Sequence, residues 1–328
     1  MILILTHKRD GSADMVINHL SAMGANFVRF NTEEFPQKVK LELHMGLGVW
    51  GGSIIFTDRR EFDLAEIKVI WNRRPHKPEI DPRVEDEPLR QWAENEADQT
   101  LQILWALLAD RFWLNKVEPN NRVQFDKWLQ MRTATKLGLI TPHSLITNNP
   151  EIAASFIRSE GNSALKVVRH GVIRYSDGRV TAITTKRLSP ESEAVRNIGN
   201  VSLTPIFLQN YVEKKLELRI TVVEKKVFAC EIHSQQNQNS MEDWRGHIFG
   251  QEKPIHKPCT LPSEIETKCV KLLEELDLTF GCIDMILTPK GEYVFLEVNA
   301  NGQWGWIEQL TNMPVSKGIA ELLASHDS

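Results

Sequence analysis

Two segments near the end of the chain decide the fold: Gly281-Cys-Ile-Asp-Met-Ile-Leu287 and Phe295-Leu-Glu-Val-Asn299. Both are short and rich in apolar and β-branched residues, and a Thr-Pro-Lys-Gly sequence at residues 288–291 separates them. This pattern predicts two strands joined by a turn, which together form an antiparallel hairpin. Because side chains alternate between the two faces of a strand, Glu297 and Asn299 point to the same face.

Asp284, on the first strand of this hairpin, can meet Glu297 and Asn299 across it. Two carboxylates and an amide oxygen on one face suit Mg²⁺, a hard cation that prefers oxygen ligands and is usually shared with phosphates. The alternative is an exposed acidic face on an edge hairpin. Apolar neighbours such as Ile283 and Phe295 favour a buried cluster, and two buried carboxylates need a cation.

Three basic residues are candidates for contacts with nucleotide phosphates. Lys166 lies inside an apolar strand predicted at residues 164–168, where a lysine is costly unless an anion meets it; a solvent-facing edge strand is the alternative. Lys127 lies near the start of a helix predicted at residues 122–137, and taken alone it is better interpreted as a solvated lysine. Arg219 offers a planar, permanently charged donor fork for a phosphoryl group in transfer.

The order of predicted elements indicates an α/β protein. Short apolar strands alternate with helices through the first third, as in an open α/β sheet, and strands dominate later, as in an α+β arrangement. A Glu-Pro-Asn-Asn turn signal at residues 118–121 marks a predicted domain boundary. We therefore predict an N-terminal domain of residues 1–117, a central subdomain of residues 118–205 and a C-terminal subdomain of residues 206–328 that carries the hairpin.

Composition excludes several classes of protein. The formal net charge is −4, so no global basic field favours nucleic acid, and the pairs Lys214-Lys215 and Lys225-Lys226 are interpreted as solvated turns. No apolar run approaches the roughly 18 residues of a membrane span, and the N-terminus lacks a signal-peptide pattern. The four cysteines have no C-x-x-C spacing. We therefore predict a cytoplasmic protein with reduced thiols and no membrane or nucleic-acid partner.

The order of the lysines, Arg219 and the hairpin residues along the chain resembles that of the ATP-grasp fold, and this resemblance runs from the first strand to the C-terminal helix. Five motifs more narrowly resemble the microviridin-type macrocyclases, or graspetide synthetases: Trp71-Asn-Arg-Arg74, Glu217-Leu-Arg219, Ser234-Gln-Gln236, Asp243-Trp-Arg245 and Phe295-Leu-Glu-Val-Asn299. The resemblance implies an ATP-grasp ligase with an N-terminal α/β pre-ATP-grasp domain.

The resemblance also implies the reaction, the cofactors and the partner. Enzymes of this family use ATP to phosphorylate Asp or Glu side chains of a ribosomally made precursor peptide. They then close ω-ester or ω-amide rings with Thr, Ser or Lys side chains. The implied cofactors are ATP and Mg²⁺, as two ions, and the implied partner is a leader followed by an acidic, hydroxyl-rich core. The resemblance is also compatible with a homodimer.

Carried over residue by residue, the resemblance assigns Lys127 and Lys166 to the phosphates and Glu217 to the ribose. It assigns the adenine hinge to Gln209, Asn210, Tyr211 and Val212. It assigns the Mg²⁺ ligands to Asp284, Glu297 and Asn299. Asn210 is a departure, because relatives commonly carry Glu at this position.

A second departure lies in the segment that holds the leader helix in microviridin enzymes. Glu193 and Asn197 fit the acidic and polar pattern of that segment, whereas Ala194 replaces an acid. The resemblance therefore assigns Glu193 and Asn197 to leader-peptide binding and predicts a leader motif that differs from that of the relatives.

Three further arginines are candidates for holding the substrate. Arg73 and Arg74 follow a predicted strand, at a position where α/β sheets often present ligand contacts. Together with Arg245 they can grip the substrate carboxylate by bidentate pairing, next to Arg219 at the reacting phosphoryl group. The alternative is that these arginines form structural ion pairs with nearby acids.

Two other functions stay open at this point. An ATP-grasp ligase that adds amino acids or glutamate to a peptide or protein would use the same ATP site, and a catalytically silent nucleotide-binding module would only bind. The intact set of Asp284, Glu297, Asn299, Lys166 and Arg219 argues against silence. Product mass separates the two enzymes, because ring closure removes one water per ring and ligation adds an amino acid.

Overall fold

The N-terminal part of the chain is built on a parallel sheet. The computed structural model describes residues 1–169, 171–236 and 254–327. The strands of this first sheet are β1 (Ile2–Thr6), β2 (Phe27–Asn31), β6 (Val69–Asn72) and β7 (Phe112–Leu114). They follow the order β2-β1-β6-β7, so the uninterrupted apolar run of β1 lies in the interior, where a parallel sheet buries both faces.

Helices cover the two faces of this sheet. They are α1 (Gly11–Ala22) and α2 (Glu87–Leu107). Helix α1 packs on the face that carries Ile2 and Ile4, whereas α2 packs on the face that carries Leu3 and Leu5. An antiparallel sheet of three strands lies beside them: β3 (Val39–Gly46), β4 (Val49–Phe56) and β5 (Glu61–Asp63). The predicted alternation of strands and helices is thereby confirmed.

A smaller sheet forms the middle of the chain. Its strands are β8 (Ser144–Thr147), β9 (Ser163–Lys166), β12 (Lys186–Leu188) and β13 (Ile206–Asn210), in the order β12-β9-β13-β8. The strands β10 (Val172–Arg174) and β11 (Val180–Ala182) pair separately as a hairpin. The helices of this region are α3 (Val117–Phe125), α4 (Lys127–Lys136), α5 (Pro150–Glu160) and α6 (Glu193–Arg196).

The last part of the chain contains an antiparallel sheet of five strands. They are β14 (Leu216–Val223), β15 (Lys226–Ile232), β16 (His256–Cys259), β17 (Phe280–Leu287) and β18 (Tyr293–Asn299), in the order β16-β15-β14-β17-β18. The helices are α7 (Ser263–Glu275), α8 (Gly305–Thr311) and α9 (Val315–Ser325). The predicted hairpin is the pair β17–β18. No helix in the described ranges is both long and apolar enough to cross a membrane.

The structure corrects the prediction around the first boundary. Residues 118–121 belong to helix α3 and do not form a turn. The single helix predicted at residues 122–137 is two helices, because the Asp126 side chain accepts a hydrogen bond from Leu129 N at 2.7 Å and so caps a new helix, α4. The predicted division after residue 205 separates β13 from β8 and β9, with which it pairs in one sheet.

The N-terminal sheet and the C-terminal part share one apolar core. Ile4 of β1 and Leu20 of α1 belong to the same buried cluster as Phe280 of β17 and Ile319 of α9. Asn115, just after β7, adds polar contacts at this junction. Its amide donates to the carbonyl oxygens of Phe280 and Ala300 at 2.8 and 3.0 Å and accepts from the Thr279 and Phe280 nitrogens, both at 2.8 Å.

The variant Asn115→Ala tests this junction. Asn115 is only 2% exposed, so its removal leaves main-chain donors and acceptors buried without partners. We expect the loss to lower the free energy of unfolding by about 3 kcal/mol. A urea titration monitored by tryptophan fluorescence measures this, with the exposed Asn148→Ala as the matched control. Equal urea midpoints for the two variants would contradict the role given to Asn115.

Candidate active site

The hairpin β17–β18 places the predicted metal ligands together. Asp284 is directly opposite Glu297, and Cys282 is opposite Asn299, with a register shift just after Asp284. The Asn299 side-chain nitrogen donates to Asp284 Oδ2 at 3.2 Å. This bond leaves the side-chain oxygen of Asn299 to act as an acceptor or a metal ligand.

Arg219 is bound to this cluster through the neighbouring strand. Strand β14 pairs with β17 so that Arg219 lies opposite Asp284. Its Nη1 donates to both carboxylate oxygens, at 2.9 and 3.0 Å, and the two residues are only 5% and 7% exposed. A buried ion pair of this kind fixes the geometry of both side chains, because removing either partner leaves an uncompensated charge.

Lys127 approaches the other carboxylate of the cluster. It is the first residue of α4, and its ammonium nitrogen is 3.4 Å from Glu297 Oε2 and 3.4 Å from the Val167 carbonyl oxygen. Helix α3 ends before Asp126, and Asp126 caps helix α4. This break places Lys127 in the first turn of α4, where its side chain reaches Glu297. The two candidate contacts for a phosphate and a cation therefore face each other.

A cavity of about 410 Å³ lies between the small sheet and the C-terminal sheet. Its lining includes every residue predicted for the nucleotide and the metal: Lys127, Lys166, Gln209, Asn210, Tyr211, Val212, Glu217, Asp284, Glu297 and Asn299. Lys166 is half-buried and lies on β9, which runs between β12 and β13. The edge-strand alternative for Lys166 is therefore wrong.

The hinge residues show what Asn210 does. Its side-chain oxygen accepts a hydrogen bond from His143 N at 2.7 Å, and its main-chain nitrogen donates to His143 O at 3.0 Å. Asn210 thus ties β13 to the segment that leads into β8. The neighbouring Gln209 is 1% exposed, and its amide donates to Ser144 Oγ at 2.9 Å. The Arg187 guanidinium lies 4.3 Å from the centre of the Tyr211 ring.

Glu217 has two partners that the sequence did not indicate. Lys214 Nζ lies 2.8 Å from Glu217 Oε1, and Ser234 Oγ donates to the same oxygen at 2.9 Å. The interpretation of Lys214 as part of a solvated turn is wrong, because its side chain is only 5% exposed and lines the cavity. Only the spacing of Lys214 and Glu217, three residues apart, could have suggested this pair.

A second cavity, of about 620 Å³, lies on the other side of the cluster formed by Asp284, Glu297 and Asn299. Arg219 and Asn299 form part of its wall, and its outer part carries the basic residues Arg74, His76 and Lys77. Asp98 is also in its lining. Gln124 and Asn299 line both cavities, so the two spaces meet at the cluster.

Arg73 does not lie in either of these cavities. It is 1% exposed, and its Nε is 3.3 Å from Asp10 Oδ2. Burial lowers the pKa of Arg73, and the nearby Asp10 partly offsets this effect. Burial raises the pKa of Asp10, but Arg73 and the hydrogen bond from Thr6 outweigh it, so that pKa lies below its ordinary value. The alternative of a structural ion pair therefore fits the placement of Arg73.

The remaining predicted residues lie elsewhere. Glu193 and Asn197 are exposed, in α6 and directly after it. Arg245 lies outside the described residues. Within the described residues no group of three or more His, Cys, Asp or Glu side chains could hold a metal ion. A cation at the hairpin therefore depends on the amide oxygen of Asn299 and on ligands from the nucleotide, beside the two carboxylates.

Comparison with known proteins gives a consistent set of relatives. The family model of the MvdD pre-ATP grasp domain matches residues 1–121, and that of the RimK-like ATP-grasp domain matches residues 124–323. A comparison with curated protein sequences found no match.

Solved structures resemble the chain over almost its whole length. A RiPP-associated ATP-grasp ligase from Chryseobacterium gregarium, in complex with ADP and a leader and core peptide, is 33% identical, with a TM-score of 0.89 over 99% of this chain and 96% of that one. Macrocyclase MdnC from Microcystis aeruginosa MRC, bound with precursor peptide MdnA, is 29% identical, with a TM-score of 0.84 over 99% of both chains. Macrocyclase MdnB from the same organism is 29% identical, with a TM-score of 0.76 over 98% of both. The chain therefore belongs to the RimK-like ATP-grasp family of ligases and carries an N-terminal pre-ATP-grasp domain of the MvdD type.

Proposed function

We propose that this ligase uses ATP to activate Asp or Glu side chains of a ribosomally made precursor peptide and closes ω-ester or ω-amide rings with Thr, Ser or Lys side chains. The observation that carries the proposal is the meeting of two cavities at one cluster of charges. Asn299 lines both cavities, and Arg219, in the wall of the second, is paired with Asp284, in the wall of the first. A carboxylate on one side and a nucleotide on the other would meet there.

The first cavity suits a nucleotide. Gln209 to Val212 would contact the adenine, and Glu217 would contact the ribose. Lys127 and Lys166 supply positive charge for the phosphates from two different elements, α4 and β9. Asp284, Glu297 and Asn299 would hold Mg²⁺, for which we propose two ions because the nucleotide adds its own oxygen ligands.

When bound, ATP and Mg²⁺ would supply the phosphoryl group and most of the charge neutralisation that convert a carboxylate into an acyl phosphate. The chain's own contribution is positioning and electrostatics. Arg219 keeps a fixed donor fork beside the reacting groups, because its ion pair with Asp284 is buried. Lys127 would exchange Glu297 for a phosphate oxygen, which leaves Glu297 to the cation. No covalent intermediate with the chain is required.

The second cavity suits an acidic peptide. Arg74 is exposed at its wall, and His76 and Lys77 make the same side basic. We therefore propose Arg74, together with Arg245, as the residues that grip the carboxylate to be activated. Glu193 and Asn197 stay our candidates for contacts with the leader, because both are exposed around a short helix.

Co-expression with a short acidic, Thr-rich peptide encoded beside the gene tests the proposal. Mass spectrometry of the peptide should show the loss of one water per ring, together with ADP formation in the purified system. An increase by the mass of an amino acid would instead indicate the residue-adding ligase. ADP formation without any change in peptide mass would contradict both.

Metal-ligand variants test the assignment of the hairpin. We expect Glu297→Gln and Asn299→Ala to abolish peptide-dependent ADP formation and to leave the melting temperature nearly unchanged, because they remove polar groups at a cavity wall. Asp284→Asn should lose activity as well, but also stability, because it breaks the buried pair with Arg219. The control is Glu292→Gln, an exposed acid on the same hairpin. Near-normal turnover in Glu297→Gln or Asn299→Ala would show that the metal assignment is wrong.

The variant Lys166→Met tests the phosphate contact. An isosteric apolar side chain keeps the strand but loses the charge-assisted hydrogen bond, worth about 1.5–3 kcal/mol. The Kd for ATP, measured by calorimetry with Mg²⁺ present, should rise about ten- to a hundredfold. Lys186→Met, an exposed lysine on the neighbouring strand β12, is the control. If both variants bind ATP equally well, Lys166 does not contact the phosphates.

The variant Arg74→Lys tests the grip on the substrate. A point charge cannot reproduce two parallel hydrogen bonds to a carboxylate. The loss should cost roughly 2–4 kcal/mol, so turnover should fall by about one and a half to three orders of magnitude. ADP formation with saturating peptide is measured beside ATP affinity, which should stay unchanged. The same pair of measurements applies to Arg245→Lys, and the exposed Arg83→Lys is the control.

The two measurements separate the possible roles of Arg74. Weakened ATP binding would place this arginine on the phosphates. Unchanged turnover would place it in a structural role, and the proposal for the second cavity would then lose its main support.

A further inference from the structure

The loop between β18 and α8 joins the N-terminal domain to the metal cluster. It follows Asn299 directly and contains Ala300 to Trp304. With its amide oriented so that the nitrogen faces acceptors, Asn301 donates to the carbonyl oxygens of Asn72 and Arg73, both at 3.1 Å. The loop is therefore seated on the end of strand β6, which belongs to the N-terminal sheet.

Gln303 is the residue of this loop that Arg73 holds most closely. Arg73 Nη2 donates to the Gln303 side-chain oxygen at 2.8 Å, and Ser12 Oγ donates to the same oxygen at 3.3 Å. Arg73 Nη1 lies 3.4 Å from the Gly302 carbonyl oxygen. The Nε atom of the same guanidinium pairs with Asp10, and Arg73 is buried. The position of this guanidinium is therefore well defined.

The same loop also holds Arg219. Arg219 Nη2 donates to the Gln303 carbonyl oxygen at 3.1 Å, while its Nη1 binds Asp284. The loop packs tightly against its neighbours. A Cβ atom added to Gly302 would lie 2.4 Å from Cys282 Cβ and 2.8 Å from Arg219 Nη2. A shift of the Gln303 main chain would therefore move the guanidinium of Arg219 or break its hydrogen bond.

We propose that Gln303 is a positioning residue, through which Arg73 of the N-terminal domain sets the orientation of Arg219 at the phosphoryl-transfer site. The inference rests on the proposed function, because it uses the role given there to Arg219. Gln303 itself would touch neither nucleotide nor metal. Its side chain accepts a hydrogen bond from one arginine and its main chain accepts one from the other. The N-terminal domain would thereby take part in catalysis from outside the ATP cavity.

The test compares Gln303→Leu with Gln303→Glu. Leu removes the acceptor for Arg73, and Glu restores it with an added charge. We expect Gln303→Leu to lower kcat for peptide-dependent ADP formation by roughly ten- to a hundredfold, as for a small misplacement of a catalytic group. KM for ATP and KM for the peptide should each stay within about twofold, and Glu should recover most of the rate. Gln309→Leu, an exposed glutamine of α8, is the control.

A double-mutant cycle separates positioning from direct contact with the substrate, since Gln303 also lines the second cavity. If Gln303 acts through Arg219, its replacement by Leu should cost much less in an Arg219→Lys background than in the wild type. Equal losses in the two backgrounds, a raised KM for the peptide, no recovery by Glu, or a wild-type kcat would each overturn the proposal.

Failure of the ring-closure proposal gives a different result. In that case the wild type forms ADP with peptide but the peptide keeps its mass. The comparison of Gln303 variants remains valid there, because it is measured as ADP.

Discussion

The buried ion pair between Arg219 and Asp284 is the interaction on which the candidate site depends. Both side chains are almost fully buried, and each charge compensates the other. Either charge alone would carry several kcal/mol of desolvation cost. Such a pair is weak evidence for a stabilising role, because apolar residues of similar size are often at least as stabilising. What it provides is geometry. It fixes a cationic fork and a carboxylate on adjacent strands, β14 and β17, in a register that only strand pairing can set.

The rest of the site is arranged around this pair by short-range rules. Strand periodicity places Glu297 and Asn299 on the face of Asp284, and the amide of Asn299 orients itself by donating to that carboxylate. The negative charge of Glu297 is in turn balanced by Lys127 at the start of α4. Arg219 and Lys127 thus each have an anionic partner in this structure. Binding of a negatively charged nucleotide with a cation would exchange these partners without leaving a charge buried alone.

These short-range rules explain which features the sequence could predict. The hairpin, its three polar side chains and the strand lysine follow from periods of two and from the cost of burying charge, within segments of a few residues. The hinge, by contrast, was assigned by the resemblance to ATP-grasp enzymes. The pairs Arg73–Asp10 and Gln303–Arg73 join residues that are far apart in the chain, and no local pattern encodes them. The cap at Asp126 was missed from the sequence for another reason. An Asp within a helical pattern is normally interpreted as a solvated residue, and only the structure shows its hydrogen bond with Leu129 N.

Asn210 departs from the residue that relatives commonly carry, and only the structure shows what its side chain does. From the sequence it removed a carboxylate from the adenine hinge. In the structure its side-chain oxygen binds His143 N, so it closes the small sheet at the point where β8 begins. The side chain of the same His143 pairs with Glu160, its Nδ1 lying 2.6 Å from Glu160 Oε1.

Under the proposed function, the N-terminal domain supplies basic residues to the second cavity. The wall of the first cavity comes mostly from the small sheet and the five-stranded sheet, whereas Arg74, His76 and Lys77 in the second cavity follow strand β6 of the N-terminal sheet. A carboxylate and a triphosphate repel each other, so each needs its own cationic wall before they can approach. The buried Arg73 is in the lining of neither cavity; it donates to the Gln303 side chain, whose main-chain carbonyl oxygen accepts a hydrogen bond from Arg219. Under the proposed function, the residues of this domain that face the peptide could change without disturbing the phosphoryl-transfer geometry, provided that this buried contact is kept.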